Sequence, residues 1–257
     1  MNKAINKACK DESFWRNRSV EKYPLASKYK LEKETWRRFY LKFVHYTYEY
    51  ANLIHLLRQA CFIGDLSLVV HALDKKKENV RANNDLPLLL ANQGSYYEIM
   101  KYLILHGADP NVDNANVLKW QCAHGNLDIV SFLIEHGSLT HINSSNSLPL
   151  RWAATKNKTD IVKYLLDKGA DIHGKDEETL ERYSGRGDLE MVKYLLERGA
   201  IVTAASKVFR SAIERGRLNV VDYLNKRGLN ADNNRDTLVL AAVQSGKLDM
   251  IQYLVKH

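Results

Sequence analysis

Nine histidines and three cysteines carry the readiest chemistry in this 257-residue chain, and their spacing assembles no reactive centre. His45, His55, His71, His141, His173 and His257 are scattered; His106 and His136 precede glycines that stop helices, where a cation suits the negative end of the dipole; His124 sits at a turn. There is no His-Glu-x-x-His, no Gly-x-Ser-x-Gly and no phosphate-binding Gly-Lys-Ser/Thr, so the patterns of a zinc protease, a serine hydrolase and a nucleotide loop are all absent. Cys9, Cys61 and Cys122 are odd in number and far apart, which excludes a disulfide framework and a Cys-x-x-Cys clip and fits a reducing compartment. No catalytic residue, metal or cofactor is expected.

The chemistry that does recur is recognition. Trp120, Trp152 and Arg182 follow one another at intervals of about 30 residues, and so do His124, Lys156, Arg186 and Arg215. Tryptophan beside arginine is the composition of an interface hot spot, and an acidic, aromatic-tolerant partner segment would suit it. A plainer reading competes: the tryptophans pack on a neighbouring helix, and the cations are solvated residues of good helix propensity.

The interval belongs to a frame. A phrase of the type Ile161-Val162-Lys163-Tyr164-Leu165-Leu166 starts at residues 99, 129, 161, 191, 220 and 250, with a degenerate copy at Leu68-Val69. A fixed period of this size means stacked repeats, a solenoid. In the copy around Trp152, Leu150, Ala153 and Ala154 fall on one face of a short helix. Asp160 then opens a second helix, where an acid suits the positive end of the dipole. Gly169 closes that helix as a left-handed cap. Such stops recur at Gly107, Gly137, Gly199 and Gly228; Gly64, Gly94, Gly125, Asn157, Gly187, Gly216 and Gly246 mark the turn between the two helices, each expected at positive φ.

Gly107-Ala108-Asp109-Pro110-Asn111, Gly169-Ala170-Asp171-Ile172 and Leu148-Pro149-Leu150 with Ala153-Ala154 resemble the ankyrin repeat, over residues 55 to 257. The resemblance implies an all-α solenoid of about seven helix-turn-helix repeats and a non-enzymatic protein-protein interaction module. In that family the first helix of each repeat lines the concave side, which puts Trp120, Trp152 and Arg182 at the centre of the groove and His124, Lys156, Arg186 and Arg215 along its flank. Only Pro87 and Pro149 keep the family's proline and no repeat keeps its histidine, so short or loose loops are expected. Val117-Leu118-Lys119-Trp120 and Leu150-Arg151-Trp152 also look like the ankyrin proteins of large DNA viruses of amoebae, which would place the chain in a host cytoplasm. The last repeat is expected to cap the stack with a polar outer face, as Lys247, Gln252 and Lys256 suggest.

Residues 1–54 stand apart as a helical cap. They hold 12 Lys/Arg against 6 Asp/Glu, and 11 of the 24 aromatic residues. Trp36, Phe39, Tyr40 and Phe43 have helical spacing and read as a helix docked on the first repeat. Lys28, Lys30, Lys33, Arg37, Arg38 and Lys42 between the aromatics give a nucleic-acid alternative. Residues 6–15 with Tyr23-Pro24 and Trp36 to Tyr40 resemble the end of an F-box, which implies a substrate adaptor on a Skp1-type ubiquitin ligase. No apolar run approaches the roughly 20 residues of a membrane span, and no secretory signal opens the chain. An intracellular monomer is expected.

Overall fold

The computed structural model describes residues 11–30, 34–49, 53–202, 207–229 and 235–256. Cys9, Lys33, Tyr50, His257 and residues 6–10 of the F-box-like phrase lie outside the described residues, as do the side chains of His45, Tyr46 and Tyr48. Sixteen α-helices and no strands are found among the described residues. They run α1 (Glu12–Lys22), α2 (Trp36–Glu49), then seven helix pairs: α3 (Leu53–Ile63) with α4 (Leu66–Lys75), α5 (Ala82–Gln93) with α6 (Tyr97–Leu105), α7 (Val112–His124) with α8 (Leu127–Glu135), α9 (Ser144–Thr155) with α10 (Thr159–Asp167), α11 (Gly174–Arg186) with α12 (Leu189–Glu197), α13 (Val208–Glu214) with α14 (Leu218–Lys226), and α15 (Arg235–Gln244) with α16 (Leu248–Lys256). Two compact units divide the chain, residues 1–117 and 118–257.

In the first unit α2 presents Phe39 and Phe43 inward, both fully buried, and Phe43 meets the edge of His71 on α4 at 5.2 Å. Asp65 ties the same junction. Its carboxylate accepts the Leu68 N–H that opens α4 (3.1 Å) and also takes the Lys42 ammonium of α2 at 2.9 Å. Burial pushes the pKa of that carboxyl up, but Lys42 and Ser67 outweigh it and hold the group below the usual carboxylate range.

Within each repeat the second helix is built by the recurring phrase. Ile161, Val162 and Leu165 are buried, and Tyr164 lies half-exposed beneath the ammonium of Lys168, 5.4 Å from its ring centroid. The same ring-to-cation pair, four residues apart on one helix face, recurs as Arg198 over Tyr194 and Arg227 over Tyr223.

The entrance to the first helix departs from a simple loop. Residues 83–85, 113–115, 145–147 and 175–177 each form one turn of left-handed backbone, φ between 51° and 66°, ahead of the right-handed helix. Left-handed backbone costs an L-residue about 1–2 kcal/mol. Asn84, Asn114, Asn146 and Asp176 stand at the centre of the four turns, and Asn and Asp tolerate this region best. The third residue of each turn, Asp85, Ala115, Ser147 or Glu177, is buried.

Two of the turn glycines differ from expectation. Gly94 has φ of −80°, and the positive φ of that turn falls on Ser95 at 56°. Gly125 is not left-handed either. Both are glycine for room: a Cβ on Gly94 would lie 2.2 Å from the Tyr96 ring, and one on Gly125 would lie 2.3 Å from the Gln121 side-chain oxygen.

Candidate functional site: the first-helix wall of the second unit

In residues 118–257 the first helices pack in succession, α9 on α11, α11 on α13 and α13 on α15. Leu150, Ala153 and Ala154 of α9 face this packing and are fully buried, which turns Trp152, Thr155 and Lys156 to the outer side of the wall. All seven residues anticipated from the sequence fall in this unit, and they divide into two sorts.

Trp120, His124, Lys156 and Arg215 are exposed, and Trp152 is half-buried. Trp120, 36% exposed, stacks on His124 with ring centroids 4.1 Å apart, and the His124 Nδ1 lies 3.2 Å from the Trp120 carbonyl. Among the described residues the ring that Trp120 meets is thus His124, one turn on in its own helix, and not Trp152. Neither Lys156 nor Arg215 has an ion-pair partner among the described residues.

Arg182 and Arg186 are engaged within the wall. Arg182 Nη2 donates to Glu178 Oε1 at 2.6 Å, and Arg151 Nε donates to Glu178 Oε2 at 2.5 Å, so one buried carboxylate joins two guanidiniums from successive repeats. Burial pushes the Glu178 carboxyl up, but the two arginines hold it below the usual range. Arg186 reaches back to the preceding first helix, where Nη1 donates to the Ala154 carbonyl at 2.5 Å and Nη2 to that of Thr155. These carbonyls end α9, where a cation meets the negative end of the helix dipole. Burial lowers the Arg186 pKa, Tyr183 and Asp188 raise it, and the charges of Arg182 and Arg215 lower it further, which places the three guanidiniums in one electrostatic cluster.

The back-reaching donor is a repeated device that the sequence reading missed. Lys158 Nζ donates to the Gly125 carbonyl (3.0 Å), Arg217 Nε to that of Gly185 (3.2 Å) and Asn219 Nδ2 to that of Gly187 (3.0 Å). Its signal is a polar donor within three residues of the turn at Asn157, Gly187 or Gly216, about 30 residues from its acceptor. Arg151 and Glu178 were missed as well; the signal was an arginine in the apolar run Leu150 to Ala154.

Cys61 and Cys122 are buried free thiols, and burial pushes the Cys61 thiol up to about 12, away from the thiolate that reacts. Among the described residues no cluster of three His, Cys, Asp or Glu could hold a metal ion, and no helix is long and apolar enough to cross a membrane.

A family model described as ankyrin repeats (three copies) matches residues 88–176 and 180–257. The pair α3 and α4 lies ahead of that match. Among solved structures, the crystal structure of the ankyrin repeat domain of Bcl-3, described as a unique member of the IkappaB protein family, is similar with a TM-score of 0.55 and 24% identity, over 68% of this chain and 86% of that one. A likeness at that identity concerns the fold. No curated protein matches this chain.

Proposed function

The chain belongs to the ankyrin-repeat family, and on that premise we propose that it is a non-enzymatic binding module that holds an acidic protein segment against its first-helix wall, the concave side of the stack. One observation carries the reading. Lys156 and Arg215 are exposed without ion-pair partners among the described residues, on either side of the paired Arg182 and Arg186, with the Trp120–His124 stack and Trp152 on the preceding repeats. Free cations supply attraction and orientation, and the aromatic rings supply area to bury. The plainer reading of solvated cations does not describe Arg182 and Arg186, which are bonded within the wall, and it competes with the proposal at Lys156 and Arg215.

The N-terminal segment favours its alternatives less. Of the cations that carry the nucleic-acid alternative, Lys30 lies over Trp36 and Lys42 over Phe39 and Phe43, while Lys28, Arg37 and Arg38 are exposed. A role as Skp1-type adaptor, and a viral protein's place in a host cytoplasm, rest on resemblance alone.

The test is affinity capture from cell extract with the full chain and with Lys156→Glu/Arg215→Glu. Proteins held by the parent chain, released by salt and lost from the charge-reversed variant support the proposal. An unchanged set of captured proteins refutes it.

A further inference from the structure

Between α11 and α13 two small residues let the first helices of successive repeats come close. Gly185 of α11 is buried and is not left-handed, so conformation does not require a glycine there. A Cβ in its place would lie 2.4 Å from the Ser211 hydroxyl of α13, 3.2 Å from Arg215 Cδ and 3.3 Å from Arg215 Nε. Glycine inside a helix is destabilising relative to alanine, and what it permits here is that the stem of Arg215 lies along α11.

The close approach gathers like charges. Arg182 and Arg186 stand one turn apart on α11, a spacing at which two cations repel. Burial lowers the Arg186 pKa most, and the charges of Arg182 and of Arg215 from α13 lower it further. Arg217 adds a fourth guanidinium, its Nε on the Gly185 carbonyl. The acids of the neighbourhood are engaged elsewhere. Glu178 is shared by Arg151 and Arg182, Asp188 accepts the Met191 N–H that opens α12 (3.1 Å), and Glu214 pairs with Arg210 at 2.7 Å. Arg186 and Arg182 are fixed by the bonds already described and keep further N–H groups, whereas Arg215 donates to nothing among the described residues.

We propose that the segment held by this wall carries a phosphorylated side chain, and that its phosphate is seated on Arg182, Arg186 and Arg215. The inference rests on the binding site proposed above and assigns the chemistry of the residue at its centre. A carboxylate is satisfied by a single guanidinium fork. A phosphoryl group offers three acceptor oxygens and about 1.5–2 negative charges at neutral pH, so several guanidiniums can share it. Such a group turns the repulsion among these cations into attraction to a common centre. Helix carbonyls hold Arg186, Glu178 holds Arg182, and the space over Gly185 seats Arg215, so little side-chain freedom is left to lose on binding.

The test uses pools of acidic peptides, randomised around a fixed central phosphoserine, glutamate or serine and passed over the immobilised full chain. The phosphoserine pool should be retained at least about tenfold better than the glutamate pool. Arg215→Lys keeps the charge and loses the planar fork, so it should remove most of that preference, and Arg215→Gln should remove more. Lys156→Glu should weaken both acidic pools and leave their ratio unchanged. Should Arg215→Gln fail to fold, as judged by circular dichroism, Arg215→Lys gives the same reading. Equal retention of the phosphoserine and glutamate pools overturns the proposal and leaves the binding module standing. A phosphoserine preference that survives both Arg215 variants overturns it too, because the phosphate is then held elsewhere. A single-stranded oligonucleotide that is retained better than the phosphoserine pool, and lost with Arg215→Gln, assigns the seat to a nucleic-acid backbone instead. Retention of none of the pools removes both this inference and the acidic-segment reading beneath it.

Discussion

Arg151 Nε and Glu178 Oε2 stand 2.5 Å apart across two repeats, with both side chains about nine-tenths buried. Arg151 also donates to the Asn146 carbonyl at 3.2 Å, so one guanidinium fixes the left-handed turn of its own repeat and the first helix of the next. Removing Arg151 leaves Glu178 paired with Arg182 and forfeits charge-assisted hydrogen bonds worth about 1.5–3 kcal/mol. Arg151→Met should therefore lower stability by about that amount in urea denaturation. Adding Glu178→Met should recover part of it, and a double-mutant cycle that comes out additive would show that the pair does not couple.

The left-handed turns give a second test at Asn146, with φ of 59° and its side-chain oxygen 3.1 Å from the Lys175 amide of the next repeat. Asn146→Ala loses the inter-repeat hydrogen bond and keeps a Cβ in a region that disfavours one, so it should cost about 1–2 kcal/mol. Asn146→Gly loses only the bond and should cost less. Thermal melts of the two variants measure the difference, and equal losses would place the whole effect in the hydrogen bond.

The frame of this fold is legible because burial repeats. Ile161, Val162 and Leu165 are apolar for the same reason as their equivalents in every copy, and Gly169 marks the end of α10 by a conformation that glycine adopts freely. The wall was legible in position and not in role. Period alone aligns Arg186 with Lys156 and Arg215, but whether a guanidinium faces a partner or the preceding helix depends on what lies within reach of its tip, here the carbonyls of Ala154 and Thr155. Gly94 was misread likewise: composition shows a glycine at a turn, and only packing shows that Tyr96 occupies the place of its side chain.

His71 supplies a pH test of the first unit. Its ring lies between Tyr23 at 5.1 Å and Phe43 at 5.2 Å, and burial holds its pKa below the ordinary histidine value, with Lys75 adding to the effect and Asp74 opposing it. The unfolded chain titrates near about 6.5 and binds more protons than the folded one between that pH and the depressed folded value. The contribution to stability is therefore fully present above about pH 6.5 and is lost as pH falls through the window below it. Wild type should lose more stability between pH 7.5 and 5.5 than His71→Met. Equal losses would mean that this imidazole accepts its proton without cost.

Arg186 separates framework from binding face. Two of its N–H groups cap α9, and its guanidinium lies 5.6 Å from the Tyr183 ring centroid. Arg186→Met keeps an apolar stem over that ring and leaves the carbonyls of Ala154 and Thr155 without their donor. Charged hydrogen bonds of this kind are worth about 1.5–3 kcal/mol, so the melting temperature should fall. Lys156→Glu and Arg215→Glu alter exposed side chains and should change stability by no more than about 0.5 kcal/mol while weakening capture of an acidic partner. Scanning calorimetry and capture on the same three variants separate the two roles. If Arg186→Met melted like wild type and lost the partner, Arg186 would belong to the binding face, and the helix cap would be incidental.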